Sequence, residues 1–241
     1  MSTNPSARLG GLLQALSAYL IWTLFPLYFA LLHAVSPFEV VAWRILFTLP
    51  FCLLVIAAMR QGKELWAALR NPRIVAALTA SGLLIGTNWL VYVMAVMHGH
   101  VLAASLGYYI NPLVNVLTGA VFLRERLSRL QWLAVALAAV GVAILAHDAL
   151  ATLWISVVLA LAFAGYGLTR KLAPVDSLSG LTVETVVLLI PAAALLGWQA
   201  TTPAGLAMGT TMPLSLLLAC AGVLTGIPLL LFASAARKLD F

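Results

Sequence analysis

The chain has 241 residues, 63% of them hydrophobic and 8% charged, with a mean hydropathy of +1.08. This composition excludes a water-soluble globular domain and defines an all-α polytopic membrane protein. The formal charge of +6 does not mark a nucleic-acid surface, because the Lys and Arg residues are scattered through short gaps between apolar runs and are not gathered on one face.

A bilayer core takes about 20 apolar residues per helix. Eight such segments are predicted, at residues 9–32, 36–59, 74–97, 100–123, 130–146, 149–169, 178–199 and 213–236. The first exceeds a signal-peptide core and is followed at once by another, so it reads as a retained span. Very short gaps join the first segment to the second, the third to the fourth and the fifth to the sixth, which predicts tight helical hairpins.

Every Lys and Arg except Arg44 lies outside the apolar segments, and always at the same end of alternate ones. Arg8 precedes the first segment; Arg60, Lys63, Arg70 and Arg73 follow the second; Arg124, Arg126 and Arg129 follow the fourth. Arg170 and Lys171 follow the sixth, and Arg237 and Lys238 follow the eighth. The positive-inside rule then predicts a cytoplasmic N-terminus and a cytoplasmic end to the eighth span. After the second span, the stretch KELWAALR has two open readings: a helix lying along the interface on Leu65, Trp66 and Leu69, or a plain polar connector.

A shift of 140 residues lays GLLIGTNWLVYVMAV (Gly82 to Val96) over GVLTGIPLLLFASAA (Gly222 to Ala236). Gly82 then matches Gly222, Gly86 matches Gly226, Ala95 matches Ala235, and Arg44 falls over Glu184. The register implies five helices per unit, with a first repeat at 1–146 and a second at 147–241. Because five is odd, the second unit enters the membrane inverted, the architecture of alternating-access transporters. Counterparts of the fourth and fifth spans are not present in the second unit, so the expectation is eight helices of a ten-helix plan. A fragment, or a protein that works with eight helices, both fit.

Gly82 to Arg126 is the most informative stretch, since polar groups inside spans are costly unless they face protein or a wet cavity. Tyr108, Asn111 and Asn115 fall at i, i+3 and i+7, on one helical face, and Pro112 has no N–H to return to the carbonyl four residues earlier. Two readings are open for the asparagines: a substrate site, or polar glue between helices. Asn88 and Tyr92 stand at i and i+4 in the third segment. Gly82 and Gly86 form a small-xxx-small pair that admits a neighbouring helix.

Arg44 lies deep in the second segment and is expected to face the interior. About 140° of helix separates it from Glu39, so Glu184 is the better partner, as a structural or gate-forming charge pair; a substrate-carboxylate contact is the alternative. Trp22, Pro26 and Tyr28 occupy the first segment, and Pro50, Pro191 and Pro228 predict kinks in the second, seventh and eighth. His98 and His100 sit at a hairpin tip and read as turn residues. Cys52 and Cys220 lie in apolar runs without metal-ligand spacing and read as packing residues. HExxH, GxSxG and Walker A motifs are lacking, so no enzyme, metal or cofactor is implied.

Two stretches, AYLIWTLFPLYFALLHAVSPFEVVAWRILF (Ala18 to Phe47) and SLGYYINPLVNVLTGAVFLRERLS (Ser105 to Ser128), resemble RarD-type permeases of the EamA family, in the drug/metabolite transporter superfamily. The resemblance implies an inner-membrane protein of two inverted five-helix units around a central cavity, and links to chloramphenicol and to export of amino-acid-like metabolites and drugs. The function expected is secondary transport of a small organic solute, with the coupling proton or ion left open. Trp22, Tyr28, Asn88, Tyr92, Tyr108, Asn111 and Asn115 would line the cavity, and Arg44 and Glu184 would tune or gate it. A truncated, non-transporting membrane scaffold is the alternative.

Overall fold

A computed structural model describes residues 5–122, 127–147 and 150–238, with side chains within 9–121, 127–145 and 150–231. Arg124 and Arg126 lie outside the described residues, as do the side chains of Arg8, Ala235, Arg237 and Lys238. Helices α1 (Pro5–Thr23), α2 (Phe25–Ala30), α3 (Pro37–Met59), α4 (Gly62–Arg70) and α5 (Pro72–Met97) come first. They are followed by α6 (Val101–Phe122), α7 (Arg129–His147), α8 (Leu153–Leu172), α9 (Ser177–Ala200) and α10 (Met212–Lys238).

Among the described residues, seven helical stretches are long and apolar enough to cross a membrane, and Arg129–Leu145 is a shorter apolar helix. That helix is the fifth of the eight predicted segments. At 1.5 Å per residue it falls short of a hydrocarbon core of about 30 Å, narrowly so when all 19 residues of α7 are included.

The first span is broken where its proline requires it. Helix α1 stops at Thr23 and α2 restarts with Pro26 in its first turn, where the missing N–H costs nothing. Pro50, Pro112, Pro191 and Pro228 instead lie inside helices that continue past them. Asp176 caps α9, its Oδ1 accepting from the Leu178 and Ser179 N–H groups at 3.0 Å each. The stretch KELWAALR is helical, as α4.

The 140-residue shift reappears in the helix starts: α3 begins at 37 and α9 at 177, α5 at 72 and α10 at 212. Glu39, in the first turn of α3, meets Gln199 near the end of α9, so these two repeat-related helices run antiparallel, as inversion requires.

Two compact units emerge, and each draws on both halves of the sequence. The first comprises residues 1–75 and 175–241, the second residues 76–174. In the first unit α3 packs against α9 and α10, α10 against α1, and α4 against α9. In the second, α6 packs against α8 and α7, and α5 is tied to α8 by a hydrogen bond from Asn88.

Candidate functional site

In the first unit, the closest helix approach is made by α10 on α3. A Cβ placed on Gly222 would strike the backbone of Phe47 and Thr48, and one on Gly226 would strike the Phe51 ring. The small-xxx-small pair of α10 is therefore a true contact surface. Thr48, fully buried, donates to the Arg44 carbonyl at 2.7 Å and reaches the Gly222 carbonyl at 3.5 Å.

That close approach brings Thr225 to Arg44. The Arg44 Nε donates to the Thr225 Oγ1 at 2.5 Å, while that hydroxyl donates back to the Ala221 carbonyl at 2.7 Å. The guanidinium carbon stands 5.7 Å from the Phe25 ring and 6.0 Å from the Phe29 ring. Phe25 and Phe29 are one helical turn apart in α2 and meet edge to face. Their π faces and the threonine hydroxyl give a desolvated guanidinium favourable neighbours. Arg44 is 4% exposed and Glu184 1%, so both members of the expected charge pair are interior to this unit.

Glu39 plays a part that sequence reasoning missed. Its carboxylate, 1% exposed, accepts from the Trp43 indole N–H at 3.1 Å and the Gln199 amide at 2.7 Å. It also accepts from the backbone N–H groups of Ala207 and Met208, at 2.8 and 3.3 Å. The loop between α9 and α10 is thus latched onto the first turn of α3, where a negative charge also suits the helix dipole. Gly205 and Gly209, both at positive φ, give that loop the reversals that aim its N–H groups at the carboxylate. The available signal was a lone acid at the start of a span, in surroundings otherwise without charge.

Besides Arg44 and Glu184, two of the seven predicted cavity-lining residues belong to this unit. The Tyr28 hydroxyl donates to the Leu217 carbonyl of α10 at 2.6 Å. Trp22 is half-buried and packs edge to face on Tyr19, with centroids 5.5 Å apart.

The remaining five belong to the second unit, where the buried polar side chains among the described residues are neutral. Small residues bring α6 and α8 together: a Cβ on Gly107 would stand 3.0 Å from the Leu159 Cβ and 3.2 Å from the Ser156 carbonyl, so the neighbours would have to give way by a few tenths of an ångström. The Ser156 hydroxyl donates across to the Ala103 carbonyl at 2.6 Å. The Asn88 amide of α5 donates to the Leu159 carbonyl of α8 at 3.0 Å, so Asn88 acts as glue between α5 and α8. Tyr92 and Tyr108 meet edge to face, with centroids 5.8 Å apart and planes at 73°.

Three residues along α6, Asn111 is 7% exposed, and its Oδ1 has no hydrogen-bond partner among the described residues. A buried amide oxygen with an unmet acceptor costs about 1–3 kcal/mol. Tyr108 is 46% exposed and Asn115 is exposed. The i, i+3, i+7 face of α6 therefore carries one buried acceptor between two open polar groups. At the tip between α5 and α6, His98 and His100 are exposed, and His98 Nδ1 lies 2.7 Å from the Met94 carbonyl.

Apolar spans in hairpins, antiparallel repeat-related helices and neutral hydrogen-bonding side chains held inside them define a multi-pass membrane protein of the helical transporter class. The model of the EamA-like transporter family matches residues 9–146, and the chain belongs to that family. It is 46% identical over 232 residues to an uncharacterized transporter of Pseudomonas aeruginosa, covering 96% of this chain and 78% of the relative. It is 42% identical over 236 residues to protein RarD of Salmonella typhimurium, covering 95% and 78%. It is also 42% identical over 233 residues to the uncharacterized transporter YojE of Bacillus subtilis, covering 95% and 77%. No solved structure matches the chain significantly. These comparisons indicate a membrane transporter rather than an enzyme.

Proposed function

We propose that this protein moves a small organic metabolite or drug across the inner membrane by alternating access, without nucleotide hydrolysis. The observation that carries the reading is Asn111: a nine-tenths-buried amide in mid-span whose Oδ1 has no partner among the described residues. A hydrogen-bonding ligand meets that need, and the Tyr92–Tyr108 pair on the same stretch of the second unit supplies aromatic contact area. In the second unit, Tyr92, Tyr108, Asn111 and Asn115 form the substrate-facing wall, and Asn88, bonded to the Leu159 carbonyl, holds α5 and α8 in place behind it. In the first, Trp22 and Tyr28 are the substrate-facing aromatics, and the buried Arg44 and Glu184 set the local field and gate.

The repeats at 1–146 and 147–241 supply the two inverted halves; the family match over 9–146 supports the first. The basic residues that follow alternate spans support a cytoplasmic N-terminus and a cytoplasmic end to α10. The test is a cellular export screen against a panel of amino acids, related metabolites and antibiotics, run with and without a proton gradient. One solute should leave faster when the protein is produced, and Asn111→Ala should slow that efflux about five- to ten-fold at equal membrane abundance. Equal efflux from the variant sinks the site.

A further inference from the structure

The connector between α3 and α5 has a surface that solute transport does not use. Around the axis of α4, at 100° per residue, three sectors follow one another. Ala68, 3% exposed, faces protein, consistent with the packing of α4 against α9. Leu69 and Trp66, 40% and 57% exposed, form an apolar edge. Beside Trp66 comes a basic stripe of Lys63 and Arg70, while the acidic Glu64 lies on the far side of the helix.

Arg70 is held in place, its guanidinium 5.0 Å from the centre of the Trp66 indole. Beyond it the chain turns into α5, and Asn71 caps the turn, its Oδ1 accepting from the Arg73 and Ile74 N–H groups at 3.1 and 3.4 Å. This turn forms an open recess of about 460 Å³ lined by Ala67, Arg70, Asn71, Pro72 and Arg73. Its two side-chain charges are both positive.

We propose that α4 and this recess bind an anionic phospholipid of the leaflet against which they lie. Trp66 and Leu69 enter the acyl boundary, and Arg70 and Arg73 hold the headgroup phosphate, with Lys63 adding to the field. Three observations select this occupant. Two residues separate α4 from the membrane-spanning α3 and one separates it from α5, so a bilayer surface is within reach. An exposed Trp flanked by cations is the arrangement of interfacial helices. The repeat also supplies an internal control: the 140-residue shift places α4 over residues 202–210, TPAGLAMGT, which carry no charge and no aromatic residue and form a loop latched on Glu39.

The experiment reconstitutes the full chain in phosphatidylcholine vesicles containing either brominated phosphatidylglycerol or brominated phosphatidylcholine at the same mole fraction. Tryptophan fluorescence of wild type minus that of Trp66→Phe isolates the Trp66 signal. Brominated phosphatidylglycerol is expected to quench that signal more strongly than brominated phosphatidylcholine. The preference should fall about five-fold for each of Arg70→Gln and Arg73→Gln, fall in high salt, and persist in Arg70→Lys and Glu64→Gln. Equal quenching by the two lipids in the wild type overturns the proposal. Loss of the preference on adding inorganic phosphate alone, at constant ionic strength, also overturns it, because the recess then takes a free anion.

Discussion

The two compact units solve the problem of polar groups in spans by different chemistry. In the first, charged side chains are enclosed: Glu39 accepts four hydrogen bonds, and Arg44 rests on Thr225 and two phenylalanine rings. In the second, the buried polar side chains among the described residues are neutral, and the Oδ1 of one of them, Asn111, has no hydrogen-bond partner among those residues. The lesson is one of stakes. Stripping the partners from a buried charge costs the fold several kcal/mol, whereas a neutral amide left half-satisfied costs about 1–3 kcal/mol and stays available to a ligand.

The sharpest way to break this contrast is Glu39→Ala. It strips the acceptor from Trp43, Gln199, Ala207 and Met208 at once, and with about 1–3 kcal/mol for each buried donor left unmet, a loss of several kcal/mol is expected. A large drop in the thermal midpoint, with new protease cleavage within residues 201–211, is the expected readout. Next comes Gly222→Ala, whose Cβ meets the backbone of Phe47 and Thr48. Backbone cannot step aside, so about 1–3 kcal/mol is expected. Gly226→Ala meets only the Phe51 ring, which can turn, and should cost less than Gly222→Ala in the same melting experiment.

Variants in the second unit should fall below these. Asn88→Ala removes the amide donated to Leu159, for about 1 kcal/mol. Ser156→Ala removes one hydroxyl bond to Ala103, for roughly 0.6 kcal/mol, the average for such bonds inside membranes. If Asn88→Ala destabilised as much as Glu39→Ala, the division between a charge-held unit and an adaptable one would fail.

Much of the architecture was legible because a bilayer imposes a simple demand. Apolar runs of about 20 residues fixed α3, α5, α6 and α9 to within two residues at each end, and the 140-residue shift that aligned the glycines reappears in the starts of α5 and α10. Arg44 was expected inside and is inside, since insertion energetics alone forbid lipid exposure. What escaped was the set of partners. Two of the four donors to Glu39 are backbone N–H groups of a loop nearly 170 residues away, and a backbone donor has no signature in sequence. Thr225 and the faces of Phe25 and Phe29 are similarly silent, since nothing separates them from other lining residues until α10 is seated on α3. Asn88 and Asn111 showed the same residue type in the same kind of span. Only the geometry separated the glue, bonded to Leu159, from the open acceptor.

Flux per folded molecule tests the central claim most directly. The solute identified by the export screen would be followed in proteoliposomes containing wild type or Asn111→Ala, with the thermal midpoint measured on the same preparations. A fall in flux of five-fold or more at an unchanged midpoint is the result expected if the neutral wall of the second unit carries the substrate. Unchanged flux, or flux lost only in proportion to lost fold, would contradict it.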